Sequence, residues 1–388
     1  MIFSKLTDGL TKNIFSVLDD KKNELLAAGK EVFNLSVGTP DFKPDRFVMD
    51  EFRARADIPE NYRYSLQDMP ELTEAVIEWY ARRFGVLLER EEITSCYGSQ
   101  EGIAHVASAL CNPGDTVLVP DPGYPIFSFG AQMAGAQLAF TPLTEDHGFL
   151  VDFDSIDPAL ADRAKMIVVS YPANPVTAVA GPEFYERLVH FAKKHDLFVV
   201  HDNAYCELTY DGFVGGSFLQ TKGAKDVGIE FNSLSKSYNL TGMRVSFALG
   251  NRDMIARFRL LRSQIDYGLF YPVQYAAIAA LTGPQDILAR NRAGYQARRD
   301  ALCGGFRSIG WDMKDSPATM FTWAKIPKGY ASSFDFVYRM MDATGLICTP
   351  GSAFGQRGEG YVRFALVQPV AEIQRMIARV DRSGILNG

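Results

Sequence analysis

Cysteine is scarce in this chain. There are five in 388 residues, Cys96, Cys111, Cys206, Cys303 and Cys348, odd in number, scattered and without a CxxC pair. That excludes a disulfide framework or a structural zinc cluster and makes a reducing cytoplasm the expected compartment. Positive charge is not in excess either, with 40 Lys+Arg against 46 Asp+Glu and a net charge of −6. Nucleic acid and anionic membrane surfaces attract basic patches, so neither is the expected partner. No apolar run approaches the roughly 18–20 residues that span a bilayer. Lys5 and Lys12 interrupt the first residues, which do not read as a signal peptide. His190, His195 and His201 lack the spacing of HExxH, so no metal site is expected. The phosphate-loop, dinucleotide and nucleophile-elbow signatures are also missing: no GxGxxG follows a strand, and there is no GxxxxGKS/T and no GxSxG.

What is present fits a soluble globular protein with a large core: 47% hydrophobic residues, 22% charged, 27 Phe, 17 Tyr and 12 Met. Its length suggests two or three domains. Short β-rich runs recur at Thr116–Pro120, Gln137–Pro142, Lys165–Ser170, Leu197–His201, Val227–Asn232 and Val245–Gly250. Several are nearly continuous in apolar residues, as strands buried on both faces are. Helical patterns lie between them. In Pro182–His195, Pro182 suits a first turn and Phe184, Leu188, Val189 and Ala192 form one stripe. Strand alternating with helix predicts an α/β domain with a mostly parallel sheet in three layers. The texture changes at both ends. Residues 1–45 carry one helical pattern and the loop SVGTPDFKP, and residues from 285 read as an α+β unit. The expected division is a large domain over 46–284 and a small domain built from 1–45 and 285–388.

Ligand sites in such sheets lie beyond the carboxyl ends of the strands. Polar groups gather there: Asn174 after one run, Asp202 and Tyr205 after the next, Ser233, Ser235 and Lys236 after a third. A lysine between serines beside buried strands (SLSKSYN) is a candidate Schiff-base lysine, since desolvation frees its amine. Asp202 suits a pyridinium nitrogen, and Tyr205 and Asn174 a ring oxygen. Gly98 and Ser99 precede a helix whose N-terminus suits a phosphate, with Arg244 near enough in sequence to assist. Tyr124 in DPGYP can stack on a flat ring. Arg363 lies in the apolar run GYVRFAL and needs an anion, which a substrate carboxylate would supply. Taken singly, each also fits a plain structural role: a solvated lysine, a helix cap, a turn aromatic, a structural ion pair.

Taken together, the segments LSVGTPDF, GSQEGIAH, NPGDTVLVPDPGYPIF, YPANPV, HDNAYCEL, SLSKSYNLTGMR and TPGSAFGQRGEGYVRFA run in order over nearly the whole chain. In them the sequence resembles the fold type I pyridoxal-phosphate aminotransferases of class I/II, and most closely their LL-diaminopimelate aminotransferase subgroup. The resemblance implies pyridoxal 5'-phosphate as cofactor. Lys236 would form the Schiff base, Asp202 would meet the pyridine nitrogen, and Asn174 and Tyr205 the ring hydroxyl. Ser99, Gln100, Ser233 and Arg244 would hold the phosphate and Tyr124 would stack on the ring. Arg363 would bind the substrate α-carboxylate, with the Gly38 backbone closing over it. It also implies a homodimer with shared sites, in which Tyr64 reaches the partner's phosphate and Gln264 lines the partner's pocket. The substrates would be an amino acid and a 2-oxo acid, with LL-2,6-diaminopimelate or a related donor such as aspartate, and 2-oxoglutarate as acceptor. Two alternatives share the cofactor: a β-eliminating C–S lyase, and a non-catalytic regulator. The chain departs from the subgroup at Gln100, where lysine is usual, and at Ala173, Val176 and Met243. RYSLQDMPEL leaves open whether Tyr62 or Tyr64 faces the partner.

Overall fold

Five of the six β-rich runs form the middle of a seven-stranded sheet, where side chains pointing either way must be nonpolar, and the sixth, Gln137–Pro142, is a partly exposed edge strand. The computed structural model describes residues 4–8 and 14–387. After a two-residue strand, β1 (Phe33–Asn34), come the strands of this sheet. They are β2 (Ile93–Cys96), β3 (Thr116–Asp121), β4 (Gln137–Pro142), β5 (Ala164–Ser170), β6 (Phe198–Asp202), β7 (Gly228–Ser233) and β8 (Ser246–Gly250). Their spatial order is β2-β8-β7-β6-β5-β3-β4, and β8 alone runs against its neighbours. The carboxyl ends of β2, β3, β5, β6 and β7 therefore share one edge.

The helices that shape the site and its supporting cores are α1 (Ile14–Ala27), α2 (Pro70–Phe84), α3 (Ser99–Leu110), α4 (Pro182–His195), α5 (Asp286–Ser308), α6 (Ser333–Thr344) and α7 (Val370–Ser383). Helix α4 shows why these residues fold as they do. Pro182 sits in its first turn, Phe184, Leu188, Val189 and Ala192 are buried, and Lys193, Lys194 and His195 occupy the last turn, facing the negative end of the helix dipole. The helix stops at Asp196, whose φ of 52° no longer continues it.

The chain ends share a separate core. Strands β9 (Phe321–Lys325), β11 (Thr349–Pro350) and β12 (Tyr361–Ala365) form an antiparallel sheet in the order β11-β12-β9. Strand β10 (Leu346–Ile347) pairs in parallel with β1. Leu18 and Leu25 of α1 pack in one cluster with Phe306, Met340, Phe364 and Ile373. Residues far apart in sequence are thus bound by burial of apolar surface, at roughly 25 cal/mol per Å² removed from water.

Two features were not readable in advance. β2 has four residues, two of them polar, and lies at the sheet edge, so it lacks the apolar run that marked its neighbours. The reversal of β8 leaves no mark on its composition, because a strand buried on both faces reads alike in either direction. Ala173 and Val176, two of the departures from the subgroup, are simply buried at 3% exposure each. Among the described residues no helix is long and apolar enough to cross a membrane, and no cluster of His, Cys, Asp and Glu could hold a metal ion.

Candidate active site

A pocket of about 340 Å³ opens where the strand ends meet the small antiparallel sheet. Gly38, Ser99, Gln100, Tyr124, Asn174, Asp202, Tyr205, Ser233, Lys236, Arg244 and Arg363 all line it. The structure thus brings together eleven of the thirteen residues to which the resemblance gives site roles. Tyr64 and Gln264 are outside it: Tyr64 is exposed against the ring of Tyr267, and Gln264 is exposed with its amide donating to Ser263 Oγ.

Each element delivers its group for a local reason. Strand β7 ends at Ser233, whose hydroxyl accepts from the backbone N–H of Ser235 at 3.1 Å. That cap starts the short helix Leu234–Ser237, and the turn aims Lys236 into the pocket. Asp202 is the last residue of β6, beside β7, and accepts from Ala204 N at 3.3 Å. Arg363 comes from the middle of β12 and is 1% exposed. Gly38 lies so close to the Phe321 ring that a Cβ would overlap it. This permits its carbonyl to accept from Lys236 Nζ at 2.6 Å. The Gly38 backbone therefore faces the lysine in this state.

The electrostatics follow from burial. Desolvation, then the positive charges of Arg363 and Arg244, depress the Lys236 pKa to about 8. Desolvation raises Asp202 to about 6, against the opposing pull of His201 and the Ala204 N–H. Burial also lowers Arg363 to about 10 and pushes the Tyr205 phenol up.

The pocket's charged groups all meet neutral partners only. Arg363 donates to Asn174 Oδ1 at 2.8 Å and to the Ser36 carbonyl at 2.9 Å, and its Nε has no acceptor. Its guanidinium lies 4.0 Å from the ring centre of Phe321 and 4.6 Å from that of Phe354. Arg244 donates to the carbonyls of Thr241 and Tyr97 at 3.0 and 3.2 Å. It holds a φ of 53°, a conformation unusual for a residue with a side chain. Gly98 must lack a Cβ because the Arg244 guanidinium occupies that space. Among the described residues none of these three cations has a carboxylate partner. Arg363 is fully buried, and a charge in this condition is costly unless a ligand completes it, whereas Arg244 is exposed.

The sequence reading missed several wall residues. Phe15 reaches the pocket from α1, and Val37, Ile103, Ile126 and Phe321 add apolar surface. Nothing in composition marks them, since their side chains serve ordinary packing elsewhere. Ser36 was missed because its contribution is a carbonyl. Thr241 stood inside SLSKSYNLTGMR and could have been found from that segment.

A lysine held near neutrality, a buried carboxylate at the next strand end and two arginines awaiting anions define a site for a cofactor-dependent reaction at an amino acid. Residues 30–380 match the family described as aminotransferase class I and II, and the chain belongs to that family. It is a pyridoxal-phosphate-dependent aminotransferase. It is 44% identical over 371 residues to the LL-diaminopimelate aminotransferase of Moorella thermoacetica, covering 95% of each chain. It is 41% identical to the enzyme of the same name from Dehalococcoides mccartyi strain 195, covering 98% of each. A solved structure of apo BacF from Bacillus subtilis superposes with a TM-score of 0.95 at 33% identity, over 98% of both chains.

The residues present fit the cofactor. Ser99 Oγ is buried without a hydrogen-bond partner at the first turn of α3, where free backbone N–H groups favour an anion. With Arg244 beside Gly98, that corner has the donors a phosphate requires. The lysine amine, held by the Gly38 carbonyl alone, and the Asp202 carboxylate complete the set.

Proposed function

We propose that this enzyme takes LL-2,6-diaminopimelate as amino donor and 2-oxoglutarate as acceptor. The observation that carries the site assignment is that the pocket's cations meet neutral partners only, so that both the phosphate and a substrate α-carboxylate find an unsatisfied arginine. The choice of donor rests on likeness to the LL-diaminopimelate aminotransferases over nearly the full chain.

Ser99, Gln100, Ser233 and Arg244 would hold the phosphate, and Tyr124 would cover the ring. Asn174 and Tyr205 would hydrogen-bond the ring hydroxyl. Asp202 would offer the carboxylate that keeps the pyridine nitrogen protonated. Pyridoxal phosphate, when bound, supplies the electron sink that makes the donor's Cα–H bond acidic. Arg363 grips the α-carboxylate and fixes the Cα–H bond relative to Lys236. Lys236 Nζ then removes the Cα proton and returns a proton in the reverse half-reaction, a task suited to an amine whose pKa lies near 8. The apolar walls exclude water from the proton in transit.

We take the enzyme to be a cytoplasmic homodimer with shared sites, divided into a large domain (46–284) and a small one (1–45 with 285–388). The dimer reading draws on an exposed apolar patch. Gly268 N donates to the Ser65 carbonyl at 2.5 Å, which joins two segments that expose Tyr64 (77%), Leu66 (68%), Ile265 (52%) and Tyr267 (49%). Tyr62 gives its hydroxyl to the Ala56 carbonyl at 2.9 Å. Tyr64, whose hydroxyl has no partner among the described residues, is the one offered to a second subunit, with Gln264 near it in the same patch.

The test is a half-reaction screen on the cofactor-loaded enzyme, following loss of the visible band with each donor alone. LL-diaminopimelate should discharge the band at lower concentration than aspartate, alanine or an aromatic amino acid. A response to aspartate with none to LL-diaminopimelate would overturn the donor assignment. Release of pyruvate and ammonia from cysteine-type substrates, without an oxo acid, would overturn transamination itself.

A further inference from the structure

The Tyr124 hydroxyl donates to Gln100 Oε1 at 2.9 Å, across the mouth of the pocket. Tyr124 is fixed at its other end. It immediately precedes Pro125, the first residue of the helix Pro125–Met133, and its ring meets Phe127 edge-on at 6.1 Å. Gln100 occupies the second position of α3 and is exposed, so the fold does not depend on it. We propose that Gln100 is a positioning residue that locks the Tyr124 ring over the cofactor, and that its neutrality sets the proton affinity of the bound cofactor. The inference rests on Lys236 holding pyridoxal phosphate.

The chemistry of the amide supports both halves. A phenol can donate to an amide oxygen while the amide N–H groups stay available to an anion. A lysine could accept nothing from Tyr124; it could only donate to the phenol oxygen, using a donor otherwise available to the anion and placing a positive charge there. Charge gives the second half. Lys236, Arg244 and Arg363 are the cations lining the pocket, and Asp202 is the carboxylate. Tyr205 and Tyr124 are the other titratable groups facing it. Glu101, next to Gln100, is turned away: it accepts from Tyr97 N at 3.0 Å and pairs with His105 and Arg262. With Lys236 joined to the cofactor, a neutral residue at 100 therefore leaves Arg244 and Arg363 as the neighbouring cations lining the pocket. A further one would disfavour the protonated, positively charged form of the bound cofactor.

The test uses the cofactor-loaded enzyme and the variants Gln100→Leu, Gln100→Lys, Tyr124→Phe and the double variant Gln100→Leu/Tyr124→Phe. The first readout is the dissociation constant of pyridoxal phosphate. Gln100→Leu and Tyr124→Phe should each weaken binding about three- to tenfold, the range of one neutral hydrogen bond. The double variant should be no weaker than the worse single one. Wild-type affinity in Gln100→Leu, or additive losses in the double variant, would overturn the positioning role. The second readout is the pH midpoint of the visible band. Gln100→Leu should leave it nearly unchanged, and Gln100→Lys should lower it by about one pH unit. An unmoved midpoint in Gln100→Lys would overturn the electrostatic role. A wild-type protein that forms no visible band at all would instead overturn the cofactor assignment, which the variants separately presuppose.

Discussion

Arg298 and Arg363 are both buried, at 6% and 1% exposure, yet they are completed in opposite ways. Arg298, on α5, makes a two-pronged pair with Asp41 at 2.6 and 2.7 Å and also donates to the Leu366 carbonyl. Arg299 beside it pairs with Asp211 and Asp300. Arg363 has an amide, a carbonyl and three aromatic rings. The same contrast divides two carboxylates on adjacent strands. Glu230 on β7 is fully buried and accepts from Tyr80, Ser217, the Phe218 N–H and His201, all within 2.9 Å. Asp202 on β6 accepts only from Ala204 N. Groups that hold the fold are satisfied within the chain, and groups that line the pocket are left for a ligand to satisfy on the proposed reading. This costs stability in the cofactor-free protein.

The titrations carry the same sign. The Lys236 pKa falls from 10.5 to about 8, so between those values the unfolded chain holds a proton the folded lysine has lost. Stability therefore rises with pH across that window. Asp202 moves from 3.8 to about 6, so the folded state holds the extra proton and stability falls as pH rises through that range. At neutral pH both groups weigh against the cofactor-free fold. Glu145, a surface carboxylate bound by Lys314 and Lys325, moves the other way, to about 2. Its contribution is present above 4.5 and is lost as pH falls toward 2.

Breaking a site group should abolish chemistry, and breaking a fold group should loosen the protein. Lys236→Ala should lower turnover by about ten-thousandfold or more and remove the visible band, checked by steady-state assay and absorbance. Asp202→Asn should lower turnover about a hundredfold or more with no loss of melting temperature. Its neighbour Glu230→Gln should do the reverse: it should lose about 3 kcal/mol in denaturant unfolding while each folded molecule keeps near-normal turnover. Arg298→Met should lose about 2 kcal/mol, less than for a fully buried pair because Asp41 is 37% exposed. The smallest effect concerns pH. The rate of cofactor loading, followed by growth of the visible band, should rise with a midpoint near 8 rather than near 10.5.

How much of this was legible in the sequence depended on whether a residue's role changes its neighbours. The inner strands announced themselves because burial on two faces forces continuous apolar runs, as in Lys165–Ser170. Lys236 announced itself because it follows a buried strand and sits among serines, of which Ser233 caps the turn that presents it. Arg363 was conspicuous because arginine is rare in a run such as GYVRFAL. Edge strand β2 did not stand out, since Thr94 and Ser95, though buried, interrupt its apolar residues. The Ser36 and Gly38 carbonyls were silent because every residue has one. Phe15 could not be read as a site residue, because only the folding of α1 against Phe321 and Arg363 brings it there.

The central claim, that Arg363 is left unpaired in order to take the substrate's α-carboxylate, has one direct measurement. Wild type and Arg363→Met, both loaded with pyridoxal phosphate, are titrated with LL-diaminopimelate while the visible band is followed. The band should be alike in both before substrate is added. The variant should then need about a hundred- to a thousandfold more substrate to discharge it, the worth of two charge-assisted hydrogen bonds. Equal half-saturation in the two proteins would contradict the account.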